Sequence, residues 1–137
     1  MSRRVLVTGD RAWSNAAVVR EVLSEFPPDT LVIHGAARGA DTIAGHVATE
    51  LGFTVRAFPA DWAKLGKGAG PARNAQMLKE GKPDEVVAFH DRLWDSTGTK
   101  DMILRAVKAR LPVRLFSSEG AKPLPPELLP PQMDLLG

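Results

Sequence analysis

Hydrophobic positions follow two rhythms along the chain. Arg4-Val5-Leu6-Val7-Thr8 is a short β-branched run without polar alternation, which predicts a strand buried on both faces. After the polar turn Gly9-Asp10-Arg11, the residues Val18, Val19, Val22, Leu23 and Phe26 recur at helical spacing. Ser14 or Asn15 can cap that helix, and Pro27-Pro28 ends it by removing donors and forcing the preceding backbone out of helical geometry. Leu31-Val32-Ile33-His34 predicts a second strand. Through Gly35-Ala36-Ala37-Arg38-Gly39-Ala40-Asp41 it leads into a helix with Ile43, Ala44, Val47, Ala48 and Leu51 on one face. Gly52 sits where a left-handed cap belongs. The segment from Phe53 to Phe58 alternates and suits a sheet edge.

After Pro59 a loop of about a dozen residues runs to Gly70, long enough inside a compact domain to suggest function. Pro71 is expected at the first helical position of the next element, which carries Arg73, Asn74, Met77 and Leu78 and stops at Gly81. A strand from Glu85 to His90 and a polar loop from Asp91 to Gly98 follow. A helix with Met102, Ile103, Ala106 and Val107 on one side then leads to a last strand, Pro112 to Phe116. Alternating strands and helices imply an α/β fold, a Rossmann-like three-layer sandwich with a mainly parallel sheet of about five strands. The body is expected to occupy residues 1–116 and to survive truncation after Phe116. Residues 117–137 read as an extended, proline-rich tail. Its Leu124, Leu128, Leu129, Met133, Leu135 and Leu136 could pin it to the body or promote self-association into a homo-oligomer.

Composition narrows the classes. The 137 residues suffice for one domain with a proper core, at 44% hydrophobic and 25% charged. No apolar stretch approaches the roughly 18 residues of a membrane span. Met1-Ser2-Arg3-Arg4 runs directly into a strand, so no signal peptide is expected and the cytoplasm is the expected location. With Cys 0, disulfides, thiolate metal sites and cysteine nucleophiles are excluded. The net charge of +2 is scattered singly, with no basic stripe for nucleic acid.

Candidate chemistry concentrates in four loops, 8–14, 34–41, 59–70 and 90–99, each at the carboxyl end of a strand, where open α/β sheets bind ligands. In the second, a strand enters a helix through Gly35-x-x-x-Gly39. Such a turn presents backbone N–H groups and the positive end of a helix, an anion site to which Arg38 adds a permanent charge. A plain tight turn with a solvated Arg38 is the structural alternative. If the first strand lies between the second and fourth, His34 and His90 stand about 9–10 Å apart, too far to share a metal. His46 has no partner at ligand spacing. No metal or cofactor site is read from the sequence.

Five motifs occur in order: Val7-Thr8-Gly9-Asp10-Arg11, His34 to Asp41, Pro59-Ala60-Asp61-Trp62, Ala69-Gly70-Pro71-Ala72-Arg73-Asn74-Ala75-Gln76-Met77, and Thr97-Gly98-Thr99. Together they resemble the YspA-type branch of the SLOG superfamily, which also holds the Smf/DprA proteins and the Lonely Guy phosphoribohydrolases. The resemblance spans residues 4 to about 116. It implies a Rossmann-like domain holding a nucleotide or nucleotide-derived ligand over the strand ends. Lonely Guy enzymes cleave an N-glycosidic bond with an arginine in an Arg-x-x-x-Met-like helix start and a glutamate in Gly-Gly-x-Gly-Thr-x-x-Glu. Arg73 with Met77 is similar to the first, and Gly98-Thr99 to the second. Met102 stands in place of the glutamate, and Ser96-Thr97 in place of the paired glycines, so the hydrolase reading is weakened.

Single residues then receive expected roles. Arg73 and Asn74, taken as first-turn residues, put a cation at the positive end of a helix, a conflict that a ligand phosphate or Asp61 would relieve. Asp61 could orient a ribose hydroxyl, act as a base or pair with Arg73. Trp62 could stack on a base or form a lid on the core. Asp41 is expected chiefly to stabilise its helix terminus. The expected ligand contacts are Thr8, Gly9 and Arg11; Gly35, Arg38, Gly39 and Asp41; Asp61, Trp62, Arg73 and Asn74; and Gly98 and Thr99. Arg73 and Asp61 would be catalytic only in an enzyme. The resulting expectation is a sensor or carrier of a nucleotide-derived small molecule. The alternative is a hydrolase of an N-glycosidic or phosphate bond. Third is single-stranded nucleic-acid binding, which the dispersed charge disfavours.

Overall fold

In the computed structural model, which describes residues 2–129, the strands are β1 (Arg4–Gly9), β2 (Leu31–His34), β3 (Thr54–Ala57), β4 (Glu85–Phe89), β5 (Val113–Ser117) and β6 (Gly120–Lys122). They form one sheet in the order β3-β2-β1-β4-β5-β6, parallel throughout except for β6. The helices are α1 (Ala16–Leu23), α2 (Ala40–Glu50), α3 (Trp62–Leu65), α4 (Ala69–Gln76) and α5 (Gly98–Lys108). This is a Rossmann-like α/β sandwich. Strand order reverses between β1 and β4, so the crossover from β3 to β4 opens a crevice over their carboxyl ends.

The period of two along β1 sorts the core. Val5 and Val7 face α1 and α2, packing with Val19, Val22, Leu23, Ala44 and Val47. Leu6 faces the other way, into a cluster with Ile33, Met77, Val86, Met102 and Ala106. Both sheet faces are covered, which is why the inner strands lack polar alternation. The edge position of β3 agrees with its mixed pattern: Thr54, Arg56 and Ala57 are exposed. Among the described residues no helix is long and apolar enough to cross a membrane.

Three expectations are corrected. The segment 59–70 is not one open loop, because Asp61 caps α3, accepting from the Lys64 N–H at 3.1 Å, and a 3-10 turn (Gly66–Gly68) follows. Helix α4 therefore begins at Ala69, and Pro71 is its third residue rather than its first. Proline is tolerated there because first-turn N–H groups have no acceptor within the helix. Arg73 is then the fifth residue of eight, in the last turn, and the expected clash with the positive helix end does not arise. A single π turn (Met77–Gly81) extends the helix, and left-handed Lys82 ends it.

The tail is also partly built into the body. β5 runs through Ser117, and β6 pairs antiparallel with it, Leu115 opposite Lys122 and Ser117 opposite Gly120. A 3-10 turn (Pro126–Leu128) then lays Leu128 among Ala88, Leu93, Ile103 and Leu115, with Leu124 against them. The sheet thus has six strands, and the body does not end at Phe116. Pro130-Pro131, Met133, Leu135 and Leu136 lie outside the described residues.

Candidate functional site

The strand ends carry two adjoining clefts. The larger, about 330 Å³, lies over the β1/β4 crevice, with Thr8 and Gly9 from β1, His90 from the end of β4, and Gly98 and Thr99 from the start of α5. The smaller, about 260 Å³, lies beside the ends of β2 and β3, against Gly35, Arg38, Pro59 and Trp62. Arg11, Ala37 and Arg73 line both. Most of the expected ligand contacts are therefore brought together. Gly39 and Asp61 line neither cleft.

The glycine-bracketed turn differs from the expected open anion site. Asp41, in the first turn of α2, turns its carboxylate back into the loop. Its Oδ2 accepts the N–H groups of Gly35 (2.9 Å) and Ala37 (3.3 Å), while His34 Nδ1 accepts the Ala36 N–H at 2.9 Å. The chain's own carboxylate thus occupies N–H groups that an external anion would otherwise meet. Burial pushes the Asp41 pKa up from its ordinary 3.8 to about 6, against the two N–H donors and the nearby Arg73 charge, which hold it down. Asp41 Oδ2 takes both bonds, and the residue lines the larger cleft. Gly39 is required at the helix entry: its φ is +72°, and a Cβ there would stand 2.3 Å from the Asp10 carbonyl oxygen.

Arg73 bridges the two halves of the site. Its Nη1 donates to the Gly35 carbonyl and its Nε to Asn74 Oδ1 at 3.0 Å. A Cβ on Gly35 would collide with the guanidinium at 2.4 Å, so that glycine serves close approach. Buried Asn74 in turn donates to Asp101 Oδ2 (2.9 Å) and the Gly98 carbonyl (3.3 Å), and Arg105 holds Asp101 at 2.8 Å. This chain fixes α4 to α5 behind the clefts. No Arg73–Asp61 ion pair occurs among the described residues. Burial and neighbouring Arg11 lower the Arg73 pKa, opposed by Asp41.

Arg38 is exposed at the rim. Exposed Arg11 lies over the Trp62 ring, 5.2 Å from its centroid. Trp62 is 48% exposed, so it is not a lid packed on the core. Met102 does not face the cleft, because it is fully buried between Leu6, Met77 and Val86. The carboxylate beside it, Asp101, is turned to Asn74 and Arg105 instead.

From the sequence, His90 is weighed only as a metal ligand and Asp10 only as part of a turn, and neither is counted among the ligand contacts; both line the larger cleft. His90 Nδ1 accepts the Arg92 N–H at 2.9 Å, which places the neutral ring's proton on Nε2, 4.0 Å from Asp10 Oδ2 in the larger cleft. Burial lowers the His90 pKa while Asp10 opposes that shift, and burial likewise lowers His34, helped by Arg73. Both histidines cap their strands through Nδ1 onto the backbone two residues on. The available signal was position: each ends a strand at the sheet's binding edge. Among the described residues no three His, Cys, Asp or Glu side chains are grouped to hold a metal.

The architecture and the crevice at the reversal of strand order define a Rossmann-like domain with its candidate site on the carboxyl edge. The model of the YspA, cpYpsA-related SLOG family matches residues 3–65. The chain is also 40% identical over 130 residues to the Gene 61 protein of Mycobacterium phage D29, covering 88% of this chain and 99% of that protein. It belongs to the SLOG superfamily, in its YspA-related branch. The fold is similar to that of DNA processing protein A (DprA) from Streptococcus pneumoniae, with a TM-score of 0.65 at 22% identity, covering 85% of this chain. The chain spans 50% of the length of that structure.

Proposed function

We propose that this protein binds a nucleotide or nucleotide-derived small molecule in the clefts over its strand ends, as a cytoplasmic sensor or carrier. One observation carries the reading furthest. Arg11 and Arg73 meet where the two clefts join, directly over the glycine turn, with Arg38 at the rim. Two permanent planar cations sharing a boundary, one of them partly desolvated, suit the oxygens of a phosphate. Around them, Asp10, Asp41 and the hydroxyls of Ser96 and Thr99 offer partners for a sugar.

Hydrolysis of the ligand has less support. Met102 is a core residue, and Asp101 is committed to Asn74 and Arg105, so neither supplies a free carboxylate at the position expected from the Lonely Guy pattern. Single-stranded nucleic acid, suggested by the DprA likeness, rests on fold alone. Asp10, Asp41 and Asp95 in the larger cleft oppose a run of phosphates there.

Native mass spectrometry of freshly purified protein should reveal a co-purifying nucleotide. A thermal-shift panel of nucleotides is the second arm, since a ligand at 100 times its Kd adds about 2.7 kcal/mol. Absence of both a bound nucleotide and any shift across the panel would remove this reading.

A further inference from the structure

We propose that Asp101 and Arg105, which line neither cleft, are positioning residues that fix the orientation of the Arg73 guanidinium through the Asn74 amide. What Arg73 is aimed at rests on the nucleotide-binding reading above, whereas the hold on its side chain is a matter of hydrogen bonds.

The bonds run in series from the surface to the crevice. Arg105 Nε, one turn further along α5, donates to Asp101 Oδ2 at 2.8 Å. The same oxygen accepts from Asn74 Nδ2 at 2.9 Å. Asn74 Oδ1 then accepts from Arg73 Nε at 3.0 Å, and Arg73 Nη1 reaches the Gly35 carbonyl. The outer pair is partly open to solvent, while Asn74 is buried.

Each link prepares the next. An amide can sit either way round. Turned over, Asn74 would set Nδ2 against Arg73 Nε, donor on donor, and Oδ1 against Asp101, acceptor on acceptor. The carboxylate therefore decides which end of the amide meets Arg73. The Gly98 carbonyl, 3.3 Å from Nδ2, acts in the same sense through a longer, uncharged contact. Arg105 in turn pins Oδ2 where Asn74 uses it; without that partner the half-exposed Asp101 side chain is free to turn to water.

An amide between the charges has a further consequence. A carboxylate bonded directly to Arg73 would hold it as well but cancel much of its charge. Through Asn74, orientation passes from α5 to α4 while Arg73 keeps no carboxylate within ion-pair distance among the described residues. Its Nη2 makes no hydrogen bond among those residues, and Arg73 lines both clefts.

Arginine side-chain NMR on the 15N-labelled full chain, without ligand, follows the Arg73 Nε–H directly, with Arg73→Lys identifying its signal. This proton should exchange with water about tenfold more slowly than that of exposed Arg38 at the same pH. Arg105→Ala and Asp101→Ala should each remove most of that difference. Arg105→Lys keeps a cation one turn from Asp101 and should restore about half of it or more. An ion pair that merely supports α5 would instead lower the melting temperature of both alanine variants and leave exchange at Arg73 unchanged, which overturns the positioning role. Fast exchange in the natural protein, or no recovery with lysine, overturns it as well. Should Asp101→Ala fail to fold, Arg105→Ala at the more exposed end of the series decides alone. Since no ligand is used, failure here leaves nucleotide binding standing, and an empty nucleotide panel leaves the hold on Arg73 standing.

Discussion

Arg38 and Arg73 are both expected ligand contacts from the sequence, yet they live in different surroundings. Arg38 is exposed and makes no hydrogen bond or ion pair among the described residues, so Arg38→Ala should leave stability within about 0.5 kcal/mol. Arg73 supports Gly35 and Asn74, and removing it strips a carbonyl and a buried amide of a charged partner. Arg73→Ala should therefore cost about 1–3 kcal/mol in urea unfolding, in addition to weakening nucleotide affinity by about 1.5 kcal/mol or more. Equal stabilities for the two variants would contradict the network described. Asp41 gives a pH signature. Its folded pKa, about 6, exceeds the ordinary 3.8, so between those values the native state binds more protons than the unfolded chain. This single group makes stability fall as pH rises from about 4 to about 6, by on the order of 2–3 kcal/mol, and the loss persists above 6. In Asp41→Asn the slope should be absent, visible as a melting-temperature difference from the natural protein that changes across that window and is flat above it.

At the level of elements, the periodicities that predicted β1, α2 and α5 were strong because each has a buried face: Val5 and Val7, Ala44 and Val47, Met102 and Ile103. Where an element's stability comes from partners far away in sequence, the pattern was mute. β6 is three residues long, Gly-Ala-Lys, with no apolar rhythm; only the edge of β5 makes it a strand. Likewise α3 is a single turn, set by Asp61 as its cap. Prolines in the tail suggested an extended arm, but Pro125-Pro126 opens the turn that delivers Leu128 to the core. Leu128→Ala should then destabilise the domain by about 2–5 kcal/mol, as for other buried leucines. An unchanged urea midpoint would return the segment to the status of a dispensable tail.

For the whole molecule, the alternation of strands and helices implied a mainly parallel sheet, and with it the edge on which a site must lie; the strand order itself comes from the structure. That is why Thr8, Gly35, Arg73 and Gly98 could be named from sequence and are found around the same pair of clefts. What the sequence could not show is direction. Asn74 looked like a ligand contact and is mainly a tie between α4 and α5, although it still lines the larger cleft. Met102 looked like a substituted catalytic position and faces the core. Helical spacing gives the angle between neighbours such as Asp101 and Met102, but not which of them meets the cleft. That depends on how α5 is rotated against the sheet, a matter of Ile33, Val86 and Met77, residues far away along the chain.

The carboxylate of Asp41 lies six positions along the chain from the Gly35 N–H it accepts. It behaves as a tethered counter-ion, present at an effective concentration that no dissolved anion could match. Cutting the tether makes the seat available. In Asp41→Gly the N–H groups of Gly35 and Ala37 lose their acceptor, and the protein should melt lower. Formate at tens of millimolar should restore part of that loss in the variant and do nothing for the natural protein. If formate failed to distinguish them, the turn would be held by its backbone angles alone, and the carboxylate would be incidental to its shape.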